Sequence, residues 1–420
     1  MKVFKFGGAS VKDAASVRNV GKILKDFTDH PVLVIISAMG KSTNVLESLT
    51  HSHFAQDGQQ QVHLEEIRQF HLDILEELFP ERNNPIHHEI HNLFVEIDWQ
   101  LEDGPIGTFD FEYDQMVAMG EMLATKIVSA WLNQNGLTNK WFDVRDLIRT
   151  DNTYRQAKVD WDVSEKQINN QVRKYFKDNK IAITQGFVGG TSENFNSTLG
   201  REGSDYSAAI FANILDAKEV VIWKDVEGML NADPKFFPEA QKLDNINYLE
   251  ASELAYYGAS VIHPKTIKPL ENKKIPLYIK SFLNPQAKGS LISSAALPAS
   301  MIPSFIFKKE QLLVSISSKD YSFVDENNLS HIFGTFAKIG ISINLMQISA
   351  ISFSVCFDFE ERKFLQMLPI LQADYRLVYN KNVELLTVRH YTEEVVEKLL
   401  KEKEILVEQR SRNTARYVVK

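Results

Sequence analysis

Val3-Phe4-Lys5-Phe6-Gly7-Gly8-Ala9-Ser10 decides how the rest of the chain is read. A short apolar run that ends on a glycine pair is a strand closing into a tight turn, and a lysine inside it is out of place in a core strand. Beyond the turn, Val17, Val20, Ile23, Leu24 and Phe27 recur at helical spacing, and Val32 to Ile36 is a second continuous apolar run. Strand, helix, strand is the opening of a βαβ unit. A helical block follows, with Ile67, Phe70, Ile74 and Leu78 on one face, Ile90, Leu93, Phe94 and Ile97 on another, and Met116, Gly120, Leu123, Ile127 and Trp131 on a third. Strand signals return at Ile181 to Thr184, Val220 to Trp223 and Ile275 to Ile279, the first preceded by Ser164-x-x-Gln167, which reads as a capping box. Up to about residue 295 the pattern predicts an α/β domain with a largely parallel sheet between helical layers.

The chain has 420 residues, 44% hydrophobic and 24% charged, with 47 basic against 55 acidic side chains and a net charge of -8. That length bounds one large domain and one or two small ones. The acidic balance argues against nucleic acid or an anionic membrane as the main partner, so any positive site must be local. No apolar stretch of signal-peptide type opens the sequence and none approaches the run of about 20 residues that spans a bilayer, so a soluble cytosolic protein is expected. The single cysteine, Cys356, excludes an intramolecular disulfide and reads as a small core residue.

From Ser293 to Pro303 the texture changes to Ser, Ala and Pro, which predicts a domain boundary. Leu312 to Ser317, Asn328 to Ile339, Ile341 to Gln347, Phe353 to Phe357 and Lys363 to Leu371 then read as strand, helix, strand, strand, helix. A shorter echo follows at Val383 to Val388, Glu393 to Lys403, Ile405 to Gln409 and Tyr417 to Val419. Its elements are too few to bury a core alone, so it is expected to pack on the preceding module or on a second subunit.

Glycine-bearing loops at strand ends carry the chemistry. Gly7 and Gly8 let backbone N–H groups approach a phosphate, and Lys5 lies one step from it. Ser37-Ala38-Met39-Gly40-Lys41-Ser42-Thr43-Asn44 follows the second strand, at the edge where open α/β sheets bind ligands. Gln185-Gly186-Phe187-Val188-Gly189-Gly190 closes another strand. Thr198-Leu199-Gly200-Arg201-Glu202-Gly203-Ser204-Asp205 leads into an apolar helix, bringing a cation, a helix N-terminus and a carboxylate together. Each residue also has a plainer reading: Lys5 as a solvated strand end, Glu121 as a helix-surface acid beside Lys126, Arg201 and Asp205 as an intrahelical pair.

Lys5-Phe6-Gly7-Gly8, Ser37-Ala38-Met39-Gly40, Gly120-Glu121, Leu199-Gly200-Arg201 with Gly203-Ser204-Asp205, and Ile262-His263-Pro264 together resemble the successive signatures of aspartate kinases, in the family's order, over residues 1 to 295. The resemblance implies an amino-acid kinase fold that transfers the ATP γ-phosphate to the side-chain carboxylate of aspartate, with Mg2+ accompanying the nucleotide, at the head of lysine, threonine and methionine biosynthesis. It implies Lys5 and Asp205 as catalytic residues. Thr43, Glu121, Phe187, Arg201 and Ser204 are implied on the substrate, with Arg201 clamping the α-carboxylate and Glu121 pairing with the α-ammonium. On the ATP side it implies Lys5, Gly7, Gly8, Lys224, Asp225, Leu230, Lys235, Ser260 and Lys265. Leu230 stands where many members carry tyrosine, Ser260 where many carry a nucleotide-holding lysine, and Glu202 where glycine is common. Lys224 or Lys265 is then expected to restore the missing charge. His263 reads as structural.

Residues 305 to 420 resemble ACT regulatory modules, the first about 308 to 378 and a shortened second about 383 to 420, with Phe336 to Ile343 the clearest stretch. The resemblance implies pairing of modules in a homodimer around an effector amino acid, with Ser342, Asn344 and Ser349 as regulatory positions. Lysine-inhibited relatives carry an aspartate where Asn344 stands and a Ser-Glu pair at Ser349-Ala350, so weak or altered lysine sensitivity is expected. A kinase for another amino-acid carboxylate and a catalytically silent sensor are the alternatives. A fused homoserine dehydrogenase is not expected at this length.

Overall fold

Residues 1–26, 30–258, 262–295, 302–320 and 322–420 are described by a computed structural model. Two units emerge: Met1–Met229 with Lys242–Ser252 and 262–295, and Leu230–Gln241 with 253–258 and 302–420. Phe27, expected on the first helix, and Ser260 fall outside the described residues, as does 296–301 of the expected boundary.

The first unit opens with β1 (Lys2–Phe6), α1 (Ala14–Lys25) and β2 (Val32–Ile36). Asp13 caps α1 by accepting from the Ser16 N–H at 2.7 Å. Helices α2 (Ser42–Ala55), α3 (Gln60–Leu78), α4 (Pro85–Glu102) and α5 (Phe109–Gln134) form the expected block. Then come β3 (Asn139–Phe142), α6 (Trp161–Ile168), β4 (Ile181–Gln185), β5 (Val188–Gly190), β6 (Asn196–Thr198), α7 (Gly203–Leu215) and β7 (Glu219–Lys224). β8 (Asn245–Ile246), the first half of α8 (Tyr248–Tyr257), α9 (Pro264–Asn272), β9 (Leu277–Ser281) and β10 (Ser290–Ile292) complete it, α8 from residue 253 on being grouped with the second unit. The main sheet runs β3-β4-β2-β1-β7-β9-β10-β8. It is parallel except where β10 meets β9.

Alternation along β1 separates the two faces of the sheet. Phe4 and Phe6 join Val34, Ile36, Ile183 and Trp223 in one core with α1 to α5. Lys5 points the other way, toward α7. One expectation fails locally: Asp160, not Ser164, caps α6, accepting from the Val163 N–H at 3.0 Å. Ser164 is buried inside the helix, and its hydroxyl accepts from the Arg149 N–H at 2.9 Å.

In the second unit, β11 (Ser304–Ser318), α10 (Glu326–Ile339), β12 (Ile343–Ile348), β13 (Ser352–Asp358), α11 (Glu361–Asp374), β14 (Tyr375–Arg389), α12 (Glu393–Leu400), β15 (Ile405–Arg410) and β16 (Thr414–Val419) follow in order. They build one antiparallel sheet, β12-β13-β11-β14-β16-β15. β11 and β14 pair along both halves, with register shifts between Lys308 and Leu313. Leu312, Val314, Ile316, Phe336, Phe353 and Phe364 pack one core beneath α10 and α11, and Leu386, Val396, Ala415 and Tyr417 another beneath α12. The shorter echo thus borrows strands from its neighbour rather than closing alone. In the excursion Leu230–Gln241, Phe237 stacks on Phe305 at 4.8 Å. Among the described residues no helix is long and apolar enough to cross a membrane.

Candidate active site

β1 and β7 run parallel with Phe6 opposite Trp223, so Lys224 emerges one residue beyond that pair, at the same edge as Gly7. Asp205, in the first turn of α7, meets both strands. Lys5 Nζ lies 2.7 Å from Asp205 Oδ1, with side chains 8% and 0% exposed. Lys224 Nζ lies 3.7 Å from Asp205 Oδ2 and 3.9 Å from Glu202 Oε2. Burial, the largest single influence, would drive Lys5 toward its neutral form; Asp205, Glu202 and Glu121 together outweigh it, Asp205 foremost, and the pKa rises. Burial likewise opposes Asp205, yet Lys5 and then Lys224 hold its pKa below the ordinary carboxylate value. The helix N-terminus favours the same anion.

Loops from three parallel strands close over this pair. The Ser37 N–H donates to Phe6 O at 3.1 Å, Gly40 N–H to Gly8 O at 3.1 Å and Gly186 N–H to Ile36 O at 3.0 Å. A Cβ on Gly8 would stand 2.7 Å from Gly40 O and 2.8 Å from Ala38 O, and one on Gly186 only 2.5 Å from Ser204 Cβ. No side chain fits at either place. Lys5 Nζ is 3.5 Å from where a Gly7 Cβ would stand, beneath the same loop.

Glu121 extends from α5 to the second loop, where its Oε1 accepts from the Ala38 N–H at 3.2 Å. Its Oε2 is buried with no hydrogen-bond partner among the described residues. Burial, only partly offset by that N–H and by Lys5, pushes its pKa up to about 8. The plain reading fails here, because Lys126 pairs instead with Glu89 at 3.0 Å. Thr43 is half-buried in the first turn of α2. Phe187 adopts φ +68° and donates its N–H to Ser207 Oγ at 3.0 Å, tying the end of β4 to α7.

Arg201 occupies the turn between β6 and α7, exposed and without an ion pair among the described residues. Asp205 turns to Lys5, so the intrahelical pair with Arg201 is not formed. His263 caps α9, its Nδ1 accepting from the Lys265 N–H at 3.2 Å. Its pKa is lowered by burial and then by Lys265 and Arg201, which suits an acceptor at a helix N-terminus. Asp225 is exposed beyond β7, and Lys265 is exposed at the start of α9. Leu230 and Lys235 lie in the excursion grouped with the second unit.

One residue escaped the sequence reading. Asp114, buried one helical heptad before Glu121, accepts from Thr198 N–H and Thr198 Oγ at 2.7 Å and from the Arg155 N–H at 2.9 Å. It pins the end of β6 just before Arg201, and burial pushes its pKa up to about 6. An acid seven residues from another on an apolar helix was the available signal. Glu202, read from the sequence only as standing where glycine is common, sits before α7 at φ +55°, a conformation that costs a side-chain-bearing residue about 1 kcal/mol. Among the described residues no group of three or more His, Cys, Asp or Glu could hold a metal ion.

In the second unit, Asn344 Oδ1 accepts from Lys308 Nζ at 2.8 Å, and its Nδ2 donates to Gln311 Oε1 at 2.8 Å and Asp358 Oδ1 at 3.0 Å. Ser349 Oγ lies 2.8 Å from Ser352 Oγ, and Ser342 is exposed.

The model of the amino acid kinase family matches residues 1–281. Lysine-sensitive aspartokinase 3 of Escherichia coli (strain K12) is 32% identical over 358 residues, covering 85% of this chain and 78% of that protein. Chloroplastic aspartokinase 2 of Arabidopsis thaliana is 30% identical over 369 residues, 85% of this chain and 66% of that protein. The crystal structure of E. coli aspartokinase III with aspartate and ADP (R-state) superimposes with a TM-score of 0.87 at 27% identity, covering 100% of this chain and 96% of that one.

Proposed function

This chain belongs to the amino acid kinase family, in its aspartokinase branch, and we propose that it transfers the γ-phosphate of ATP to the side-chain carboxylate of L-aspartate, forming 4-phospho-L-aspartate. The observation that carries this reading is the Lys5–Asp205 pair, buried at the N-terminus of α7 beneath the Gly7-Gly8 loop.

The acceptor carboxylate, with an ordinary pKa near ~4, is ionised at neutral pH, so no general base is required. The obstacle is repulsion between two anions. Lys5, kept charged by Asp205, faces the migrating phosphoryl group and offsets the charge that builds on it. Arg201, with its guanidinium uncommitted among the described residues, takes the α-carboxylate in a bidentate pair. Glu121, holding one buried oxygen without a hydrogen-bond partner among the described residues, takes the α-ammonium. Thr43, Phe187 and Ser204 line the same pocket.

Gly7, Gly8, Lys224, Asp225 and Lys265 of the first unit serve the nucleotide. Of the lysines that could compensate for Ser260, Lys224 is favoured, since its ammonium reaches Asp205. The carboxylates nearest these lysines, Asp205 and Glu202, are paired with them, so magnesium is read as part of the MgATP substrate rather than as a resident ion. Residues 305–420 act as paired ACT modules in a homodimer, taking an effector amino acid near Ser342, Asn344 and Ser349, and the enzyme works in the cytoplasm.

Coupled ADP release on aspartate, glutamate and acetylglutamate tests the reaction. Turnover on aspartate alone supports it. Turnover on another acceptor, or aspartate binding without ADP release, replaces it with a different kinase or a sensor.

A further inference from the structure

Among the described residues, the cluster around Asp205 sets lysine ammoniums against carboxylates before any nucleotide arrives. Lys5 and Lys224 bring two positive charges, and Asp205 and Glu202 bring two negative ones. The two carboxylates differ in how firmly they are held. Asp205 has no exposed side-chain surface and touches Lys5 at 2.7 Å. Glu202 is 31% exposed, reaches Lys224 only at 3.9 Å and makes no side-chain capping bond. It holds a left-handed backbone that glycine would adopt without strain, so nothing in local conformation explains its presence. Its position beside Lys224 does.

Lys224, 18% exposed, stands at the carboxyl edge of the sheet next to the Gly7-Gly8 loop. Resting on the reading of Lys224 as a phosphate contact, we propose that Glu202 is a positioning residue that latches the Lys224 ammonium in the empty site and releases it to the nucleotide polyphosphate. The latch is loose enough to open into water. A polyanion can displace it, because several phosphate charges replace one carboxylate. A single small anion such as inorganic phosphate gains less by doing so. Without the latch, two ammoniums against one carboxylate would leave a net positive cluster that retains such ions.

Calorimetry on the full chain, at fixed magnesium and without aspartate, tests this with ADP and with inorganic phosphate as probes. Glu202→Gln is expected to bind ADP about two- to fivefold more tightly, the range expected for loss of one partly exposed ion pair, and to gain affinity for inorganic phosphate as well. Glu202→Gly, which also relieves the left-handed backbone, is expected to show the same gain and keeps the test open if the glutamine variant folds poorly. In a Lys224→Met background the Glu202→Gln gain is expected to disappear, and aspartate affinity is expected to change less than twofold in every variant. Unchanged or weaker ADP binding in both Glu202 variants overturns the latch, as does an equal gain without Lys224. If Lys224→Met alone binds ADP like the wild type, the reading of Lys224 as a phosphate contact fails, an outcome separate from loss of the latch.

Discussion

Lys5 Nζ and Asp205 Oδ1 lie 2.7 Å apart with almost no water around either, joining the first strand of the sheet to the first turn of α7. Removing one partner strands a buried charge, which costs roughly 3–5 kcal/mol of stability. Asp205→Ala is therefore expected to unfold at markedly lower urea as well as to lose turnover. Lys5→Met removes the charge that faces the phosphoryl group, and a fall of about 10²–10³ in kcat is expected, as for loss of a transition-state charge partner. Urea melts and ADP release measured on the same samples check both. Wild-type kcat in Lys5→Met would remove Lys5 from the mechanism.

Among the described residues Arg201 contributes no ion pair to the resting fold, so its loss is expected to leave stability nearly unchanged. A charge-assisted pair to the aspartate α-carboxylate is worth about 1.5–3 kcal/mol, so Arg201→Ala is expected to raise KM for aspartate roughly 10- to 100-fold. KM for ATP should hardly move. Arg201→Lys keeps the charge but not the fork and should recover only part of the loss. Steady-state kinetics with each substrate varied in turn decides, and equal changes in both KM values would count against a role specific to aspartate.

Glu121 carries its proton to about pH 8 in the free protein, whereas an unfolded glutamate loses it near 4.5. Between those values the folded state binds more protons than the unfolded one, so this group's contribution to stability is complete below about 4.5 and is lost as pH rises toward about 8. Glu121→Gln keeps an acceptor for the Ala38 N–H and never ionises. It is expected to melt above the wild type at pH 8 to 9 and level with it near pH 5. Aspartate binding near neutral pH should expel a proton from Glu121 as the substrate ammonium arrives, so the binding enthalpy should vary with the ionisation enthalpy of the buffer. No buffer dependence would mean that the ammonium goes elsewhere.

The parts of this site that were legible in the sequence are those where charge interrupts glycine or apolar context. Lys5 stands out in an apolar strand, and Arg201 and Asp205 stand out among the glycines before α7. The direction of Glu121 was not legible from hydrophobic period, because Met116, Val117, Ala118, Met119 and Met122 are buried all round α5; the resemblance alone put it on the substrate. The left-handed backbone at Glu202 was signalled only indirectly, by a glutamate where the resemblance places glycine. In the second unit, strand period showed which segments were strands but not their length. β11 was read only from Leu312 because Lys308, Lys309 and Glu310 break the apolar run. That break coincides with the register shift against β14 and with φ +53° at Glu310. Sharing of one sheet by both modules depends on this long β11–β14 pairing, a tertiary fact with no local signature.

Asn344 offers a last test, because the resemblance to ACT modules implies an aspartate at this position in lysine-inhibited members. Restoring that acid would be expected to restore sensitivity only if the side chain were available to a ligand. Here Lys308 occupies its oxygen, while Gln311 Oε1 and Asp358 Oδ1 both accept from its amide nitrogen. Gln311 cannot simply turn over, since its own Nε2 donates to Asp358 Oδ1 at 2.7 Å and to Lys309 O at 3.0 Å. In Asn344→Asp a carboxylate oxygen would face two acceptors, one of them charged. The stronger contact with Lys308 offsets part of this, and a net loss of about 1–2 kcal/mol is expected. Urea unfolding of the full chain, followed by lysine titration, checks the outcome: a less stable variant that gains no micromolar lysine binding. A variant of unchanged stability that binds lysine tightly would show that this polar cluster yields readily to an effector.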